Sequence, residues 1–167
     1  GEVDCQARHV DLGNYTLFKE SEDSGDFTVM VGVDANHFCF TPNNACQDAR
    51  LREFFGNTNV RKAFSLAANR DEINELIYNG LGTPRQYSPL SMSPNAYPDQ
   101  ANAYIEYNPD QANSLLDEAG YTEKDADGYR TYKDGSSETI SLIIEGTAEA
   151  GSMDEDAIQL LVKYFEE

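Results

Sequence analysis

The chain of 167 residues is long enough for one domain with a hydrophobic core and short for two. It carries 30 acidic and 12 basic residues, which gives a formal net charge of -18. Proteins hold nucleic acids and anionic lipid surfaces mainly through Lys and Arg, so this balance argues strongly against both kinds of partner. No apolar run in the sequence is long enough to cross a bilayer.

The N-terminal part of the chain is predicted to alternate short strands with one helix. Gly1–Cys5 is a candidate strand, and Val10–Phe18 mixes apolar and polar residues in a way that suits a helix. A polar turn at Ser21–Asp26 precedes Phe27–Val33, where every second residue is apolar as in a strand. A second extended segment, His37–Thr41, ends at a proline-containing turn.

From Thr58 onward the apolar spacing becomes helical. A helix is predicted to begin there, capped by Asn57 or by Thr58 itself. A second helix is predicted to start at Asp71 and to end at Gly80, because glycine adopts the left-handed conformation that terminates helices.

Two further helices carry cap signatures at their N-termini. Asn108 is predicted to cap the first of them, with Gln111 three residues later reaching back towards the cap. This helix is predicted to stop at Gly120. Ser152 and Glu155 form a capping box for the last helix, which runs to the end of the sequence.

Between these helices lie a long loop and a predicted hairpin. Thr83–Tyr107 is rich in proline and tyrosine, and a loop of that length inside a compact domain usually binds something or wraps a surface. Tyr129–Tyr132 and Thr139–Glu145, joined through the turn pair Asp134 and Gly135, are predicted to form the hairpin.

The residues that could carry metal chemistry or catalysis do not form a known arrangement. Asp125 and Asp127 resemble the start of a calcium loop, but Tyr129 stands where a third oxygen ligand is needed. Cys39 and His37 would share one face of a strand, where they seldom point at each other as a nucleophile and its base must. We therefore predict no catalytic residue, no metal site and no cofactor.

Three cysteines are present, which is an odd number. Cys39 and Cys46 are close enough in sequence to close a small loop, whereas Cys5 is distant from both. In an oxidising compartment we expect Cys39 and Cys46 to be the disulfide candidate.

Several ordered motifs resemble one protein family. The segment Asn59–Ile73 resembles "VRxAxxxAxDRxxI", with Asn69 where the family usually has Asp, and Tyr107–Tyr121 resembles "YDPxxAxxLLxEAGY". The two Asp-Gly pairs before Ile140–Leu142 resemble the family's "DGxGxR…DGxxLxL" hairpin, and Gly1–Asp4 is similar to its "GEID" strand. The family is that of the extracellular solute-binding proteins of family 5, which includes oligopeptide-, dipeptide- and nickel-binding proteins.

The resemblance implies a fold and a domain organisation. We expect an α/β, or mixed α+β, single lobe of a two-lobed periplasmic-binding-protein-like fold of type II, cluster C. Residues 1–167 would be a single domain, most of the second lobe, truncated at the C-terminus before a strand that the family places next. The other lobe, which closes on the ligand from the opposite side, would be absent.

The resemblance also implies a function, which is capture of extracellular oligopeptides as the substrate-binding component of an ABC transporter. The implied partners are a peptide ligand and the ABC permease subunits. The implied location is extracellular, at the cell surface or in the periplasm, with a parent protein that is a membrane-anchored lipoprotein. Two alternatives stay open: a peptide, pheromone or nutrient sensor not coupled to transport, and, more distantly, a hydrolase using Cys39 and His37. Peptides, nickel complexes and sugars all stay open as ligands.

Residues 36–40 resemble the family segment that runs beside the ligand cleft. The resemblance implies four ligand-binding residues in this chain: Asn36, His37, Phe38 and Phe40. Arg61 and Arg70 are expected to be structural, bonding backbone groups or carboxylates near helix ends. We also expect a weak homodimer of this chain, formed through the unpaired edge of Thr139–Glu145 or through the surface that would face the missing lobe.

Overall fold

The computed structural model describes residues 2–8, 10–33 and 38–167. Within these ranges the chain forms one 3-10 helix, Leu12–Asn14, and eight α-helices. In chain order the α-helices are α1 (Tyr15–Glu20), α2 (Glu22–Gly25), α3 (Ala49–Gly56), α4 (Thr58–Ala67), α5 (Arg70–Tyr78), α6 (Pro98–Ala101), α7 (Pro109–Glu118) and α8 (Met153–Glu166).

Three predicted helices are confirmed together with their predicted caps. The side chain of Asn57 accepts a hydrogen bond from the Asn59 N–H at 2.8 Å at the start of α4. Asn108 accepts from the Gln111 N–H at 3.1 Å, and Ser152 accepts from the Glu155 N–H at 3.2 Å, at the starts of α7 and α8. Each cap satisfies an amide that the first helical turn leaves without a partner.

Helix α5 begins one residue earlier than predicted and ends close to the predicted stop. Its cap is Asn69, whose side chain accepts a hydrogen bond from the Glu72 N–H at 3.1 Å. At the other end Asn79 and Gly80 both adopt positive φ, at 53° and 69°, which ends the helix. The Gly80 N–H then donates to the Asn74 carbonyl at 2.9 Å, as in a left-handed helix stop.

The N-terminal predictions are partly wrong. The helix expected at Val10–Phe18 is divided between the 3-10 helix and α1, and the polar turn expected at Ser21–Asp26 contains the short helix α2. Helix α3 was not predicted. It is capped by Asp48, whose carboxylate accepts hydrogen bonds from the N–H groups of Arg50 and Leu51 at 2.8 and 3.3 Å.

The expected β-structure is not confirmed in the described part of the chain. There, β pairing consists of two isolated antiparallel bridges, Lys124 with Arg130 and Thr131 with Thr139. The predicted hairpin is thus reduced to tight turns, and neither the described part of Gly1–Cys5 nor Phe27–Val33 forms a strand. A strand requires a partner for its backbone, and among the described residues 141–148 form no backbone hydrogen bond with another segment.

The hydrophobic core lies between α3, α4 and α7, with a smaller cluster between α5 and α8. Val60 and Leu66 of α4 are fully buried, and Ala63 packs with Leu66 against Ala112 of α7. In the smaller cluster Ile73 packs against side chains of α8. The turn region is tied to α7 by Arg130, whose guanidinium donates to Asp117 at 2.6 Å and to the Asn113 side chain at 2.7 Å.

The accessible surface is large for the mass. It measures 11681 Å² for 18.6 kDa, whereas a compact monomer of this mass is expected to expose about 8,200 Å². The chain therefore leaves a surface uncovered that a compact domain of equal size would bury.

We predict that Leu66→Ala lowers the free energy of unfolding by about 2–5 kcal/mol, because it leaves a cavity between α4 and α7. The matched control is Leu76→Ala in α5, since Leu76 is 64% exposed and Leu66 is 0% exposed. The control should change stability by less than about 0.5 kcal/mol. Urea denaturation followed by circular dichroism measures both, and equal effects of the two variants would contradict the assigned core.

Candidate functional site

Part of the predicted ligand segment lies within the described residues. Asn36 and His37 lie outside the described residues. Phe38 is exposed, and Phe40 is half-buried. The Phe40 ring lies 5.2 Å from the Phe64 ring and 5.2 Å from the Phe165 ring, measured between ring centroids. Phe40 therefore packs against the body of the domain, whereas Phe38 is open to solvent.

Phe40 is part of a larger set of packed rings, which we call the aromatic cluster. Phe64 and Phe165 lie 4.8 Å apart in an edge-on arrangement, and Phe54 and Tyr121 are also 4.8 Å apart and nearly perpendicular. Edge-to-face packing at these separations is favourable beyond the burial of area alone. The members are Phe40, Phe54, Phe55, Phe64, Tyr121 and Phe165. The aromatic cluster thus fixes the backbone at Phe40, two residues from Phe38.

An apolar groove of about 160 Å³ opens beside the aromatic cluster. Phe64, Leu116, Ile140 and Leu142 line its floor, and the end of α8 forms one wall. Sites that enclose a small molecule usually measure about 300–1,000 Å³, so the groove cannot surround a peptide by itself. It can contribute one apolar wall to a larger site.

Burial shifts the pKa of two side chains, Tyr164 beside the groove and Arg70 at the start of α5. Desolvation raises the pKa of the Tyr164 hydroxyl, and the nearby Glu72 raises it further, so this side chain stays neutral. Desolvation lowers the pKa of Arg70, an effect that Glu106 opposes. Because the ordinary pKa of an arginine is far above neutrality, Arg70 remains a cation.

Arg61 and Arg70 have the structural roles that were predicted for them. Arg61 donates to the carbonyls of Phe55 and Gly56 at 2.8 and 2.7 Å, at the end of α3. Arg70 donates to the Ser65 carbonyl at 2.6 Å, in the last turn of α4. Both guanidinium groups satisfy carbonyls that a helix terminus leaves unpaired.

The first carboxylate of the calcium-like turn, that of Asp125, accepts hydrogen bonds from other groups of this chain. Asp125 accepts hydrogen bonds from the N–H groups of Asp127 and Tyr129 at 3.0 and 2.9 Å, and from the Thr139 hydroxyl at 2.5 Å. The hydrogen bond from Thr139 is the largest cause that lowers the pKa of Asp125. Among the described residues, no group of three or more His, Cys, Asp or Glu side chains could hold a metal ion. The absence of a metal stays a prediction.

The three cysteines are free thiols. Cys39 is exposed, and its sulfur lies 3.9 Å from the Thr41 hydroxyl oxygen. The Cys46 thiol donates to the Asp48 carbonyl at 3.4 Å, at the start of α3. The disulfide between Cys39 and Cys46 is thus not formed here, and it stays a prediction for the oxidised protein.

Sequence reasoning missed the aromatic cluster and the helix that supplies part of it. Phe54 and Phe55 are both buried, and together with Leu51 they have helical spacing. That spacing after Asp48, a residue type favoured at helix caps, was the available signal for α3. Within the described residues, no helix is both long and apolar enough to cross a membrane.

Comparison with models of known families identifies one family. Residues 1–167 match the model of the family described as "Bacterial extracellular solute-binding proteins, family 5 Middle". A solved structure titled "oligopeptide-binding protein OppA" is similar over 99% of this chain, with a TM-score of 0.73 and 35% sequence identity.

Two curated proteins are similar over shorter stretches. A "Probable ABC transporter-binding protein" of Deinococcus radiodurans is 34% identical over 91 residues, and "Heme-binding protein A" of Haemophilus influenzae is 39% identical over 67 residues. These matches cover 54% and 40% of this chain. The chain is short beside all three relatives, because the matches span 26% of the solved structure's chain and 15% and 12% of the two curated proteins.

We predict that non-reducing conditions allow a bridge between Cys39 and Cys46. Closing so small a loop should raise the free energy of unfolding by at most about 2–3 kcal/mol. Intact mass after alkylation without reductant should show one modified thiol, and Cys5→Ala should leave the bridge in place. Three alkylated thiols in the oxidised protein would contradict the pairing.

Proposed function

Because the chain belongs to the bacterial extracellular solute-binding proteins of family 5, we propose that it captures oligopeptides outside the cell membrane for import by an ABC transporter. The observation that carries this proposal is the similarity of 99% of the chain to an oligopeptide-binding protein at 35% identity and a TM-score of 0.73. The family is one of binding proteins, which supports a protein without catalytic activity.

We propose that these residues form most of the second lobe of a two-lobed protein. The large uncovered surface supports this, since a lobe that meets another part of the protein leaves surface open when described alone. A peptide held between two lobes is buried only when both walls are present. Closure of one lobe on the other would then report to the transporter that ligand is bound.

Within this lobe we propose Asn36, His37 and Phe38 as the ligand-side residues. The exposure of Phe38 supports its role, because an exposed aromatic ring offers contact area for a peptide side chain. Phe40 would act differently from its neighbours. Its packing against Phe64 and Phe165 favours a role in holding the segment in place.

We propose an extracellular or periplasmic location, with the whole protein anchored to the membrane as a lipoprotein. The family match supports the location. A sensor with the same architecture would bind peptide equally well but would not stimulate ATP hydrolysis by a transporter. A hydrolase would cleave the peptide, and Cys39→Ala would abolish that cleavage. These two measurements separate the alternatives from the proposed function.

We predict that His37→Ala in the whole protein weakens peptide binding by about 3–10-fold, the loss expected for one or two hydrogen bonds. Calorimetry with a mixed pool of short peptides gives the dissociation constants. His9→Ala is the matched control, since His9 and His37 are the two histidines of the chain. It should bind as the wild type does.

The chain of 167 residues by itself should bind the same peptides far more weakly than the whole protein. Micromolar or tighter binding by this chain alone would contradict the two-lobed site. No peptide binding by the whole protein would contradict the proposed ligand class, and nickel complexes and sugars would then be the next ligands to measure.

We also predict a weak homodimer of this chain through the segment Thr139–Glu145. Residues 141–145 of this segment form no backbone hydrogen bond with other described segments, and Ile143 is exposed, so these residues can pair with a second copy. The net charge of -18 opposes pairing, but about 0.5 M salt screens it. Sedimentation should show more dimer as salt rises, and a clean monomer at millimolar protein in high salt would count against it.

A further inference from the structure

The described part of the ligand segment is attached to the rest of the chain through one side chain. Of residues 38–41, Phe38, Cys39 and Thr41 are exposed, whereas Phe40 is half-buried. Among the described residues, these four form no backbone hydrogen bond with another segment. The ring of Phe40 is therefore the contact that holds this part of the chain on the domain.

Phe40 and two other aromatic rings contact one another, and we call these three rings the ring triangle. The centroid of Phe40 lies 5.2 Å from that of Phe64 and 5.2 Å from that of Phe165, and the last two lie 4.8 Å apart. The ring planes of these three pairs are inclined by 57°, 64° and 63°, respectively. Tilted and edge-to-face pairs at such separations are favourable. Because each ring contacts both others, removing one of them takes packing partners from the remaining two.

Two members of the ring triangle belong to helices that pack elsewhere in the core. Phe64 lies in α4, where Val60 and Leu66 are fully buried. Phe165 lies in the last turn of α8. The place of Phe40 therefore depends on how the end of α8 is held beside α4.

Helix α8 is held by α5 along its length. Near its start, the Tyr78 hydroxyl donates to the Asp154 carboxylate at 3.1 Å. Further along, Ala157 and Tyr164 pack with Ile73 of α5. A separation of seven residues places Ala157 and Tyr164 on the same side of a helix. These contacts fix the direction of α8 independently of the ring triangle.

The last turn of α8 makes two different contacts through two consecutive residues. Tyr164 is 6% exposed and packs in the smaller core cluster with Ile73. Successive residues of an α-helix point about 100° apart, and Phe165 packs in the ring triangle instead. Helix α8 thus connects the smaller core cluster to the ligand segment, and Phe165 is the side chain that makes the connection.

We propose that Phe165 is a positioning residue for the ligand segment. By packing on Phe40 it fixes the backbone of residues 38–40 in the unliganded protein, so that Phe38 is held in one place. A segment that is ordered in advance loses less conformational freedom when a ligand binds, which strengthens binding. Phe165 acts through Phe40 and needs no contact with the ligand. This inference rests on the proposed function and adds to it the residue that links α8 to the site.

The test compares two variants of α8 in the whole protein, with reductant present so that no bridge between Cys39 and Cys46 holds the segment. Phe165→Ala removes the ring. Val162→Ala is the matched control, because Val162 lies in the same helix, is 36% exposed and is outside the ring triangle. Hydrogen exchange without ligand is followed by mass spectrometry at residues 38–41 and, for comparison, at residues 110–116 of α7. Calorimetry with the mixed pool of short peptides gives the dissociation constant.

Phe165→Ala should accelerate exchange at residues 38–41 at least about tenfold more than in α7. The reason is that loss of the ring frees the segment but leaves the contact between α4 and α7 in place. The peptide dissociation constant should rise about 3–10-fold, since the segment is in its binding position for a smaller fraction of the time. Val162→Ala should change each quantity by less than about twofold.

A second variant, Phe165→Leu, keeps most of the apolar volume and removes the aromatic ring. It should produce the same selective acceleration at residues 38–41, with a smaller size of about 2–5-fold. It decides the question if Phe165→Ala lowers the melting temperature of the whole protein.

Three results would overturn the inference. Equal acceleration at residues 38–41 and in α7 would give Phe165 a general role in stability alone. Unchanged exchange at residues 38–41 would mean that another part of the whole protein holds the segment. Faster exchange with an unchanged peptide dissociation constant would separate the ring triangle from ligand binding. A wild type that binds no peptide would instead overturn the proposed ligand class, and the exchange comparison would still decide whether Phe165 positions residues 38–41.

Discussion

The packing of α4 against α7 is the interaction on which the rest of the described structure depends. Ala63 and Leu66 meet Ala112 across this contact, and the small alanine side chains allow the two helices to approach closely. The contact is closed at one end by the Asn108 N–H, which donates to the Leu66 carbonyl at 2.8 Å. The outward sides of α4 then support three separate features. Arg61 binds the end of α3, Phe64 holds the aromatic cluster, and Ser65 accepts a hydrogen bond from the Gln86 side chain.

The parts of the fold that follow from local rules could be predicted from the sequence. Asn57, Asn108 and Ser152 stand before apolar residues at helical spacing, and each caps the helix expected of it. The predicted strands were wrong in the described residues because a strand is stable only when another segment pairs with it. The alternation in Phe27–Val33 indicates which side chains could share a face of a strand. It does not indicate which other segment would pair with that strand.

The candidate site was predictable to a smaller extent, because its arrangement depends on residues far apart in the sequence. The structural roles of Arg61 and Arg70 followed from their position near helix ends, where carbonyls lack partners. The packing of Phe40 could not be anticipated in the same way. It requires Phe165, which lies at the other end of the chain, and alternation along residues 37–41 would have given Phe38 and Phe40 the same surroundings.

Charged residues are distributed unevenly along the chain. A net charge of -18 repels other copies and anionic surfaces, and it keeps most of the chain hydrated. The same charge would hinder any contact that must remove water, because desolvating a carboxylate without a partner is costly. Residues 35–47 and 86–98 lack Asp, Glu, Lys and Arg, so they can be covered by a ligand or another protein without that cost.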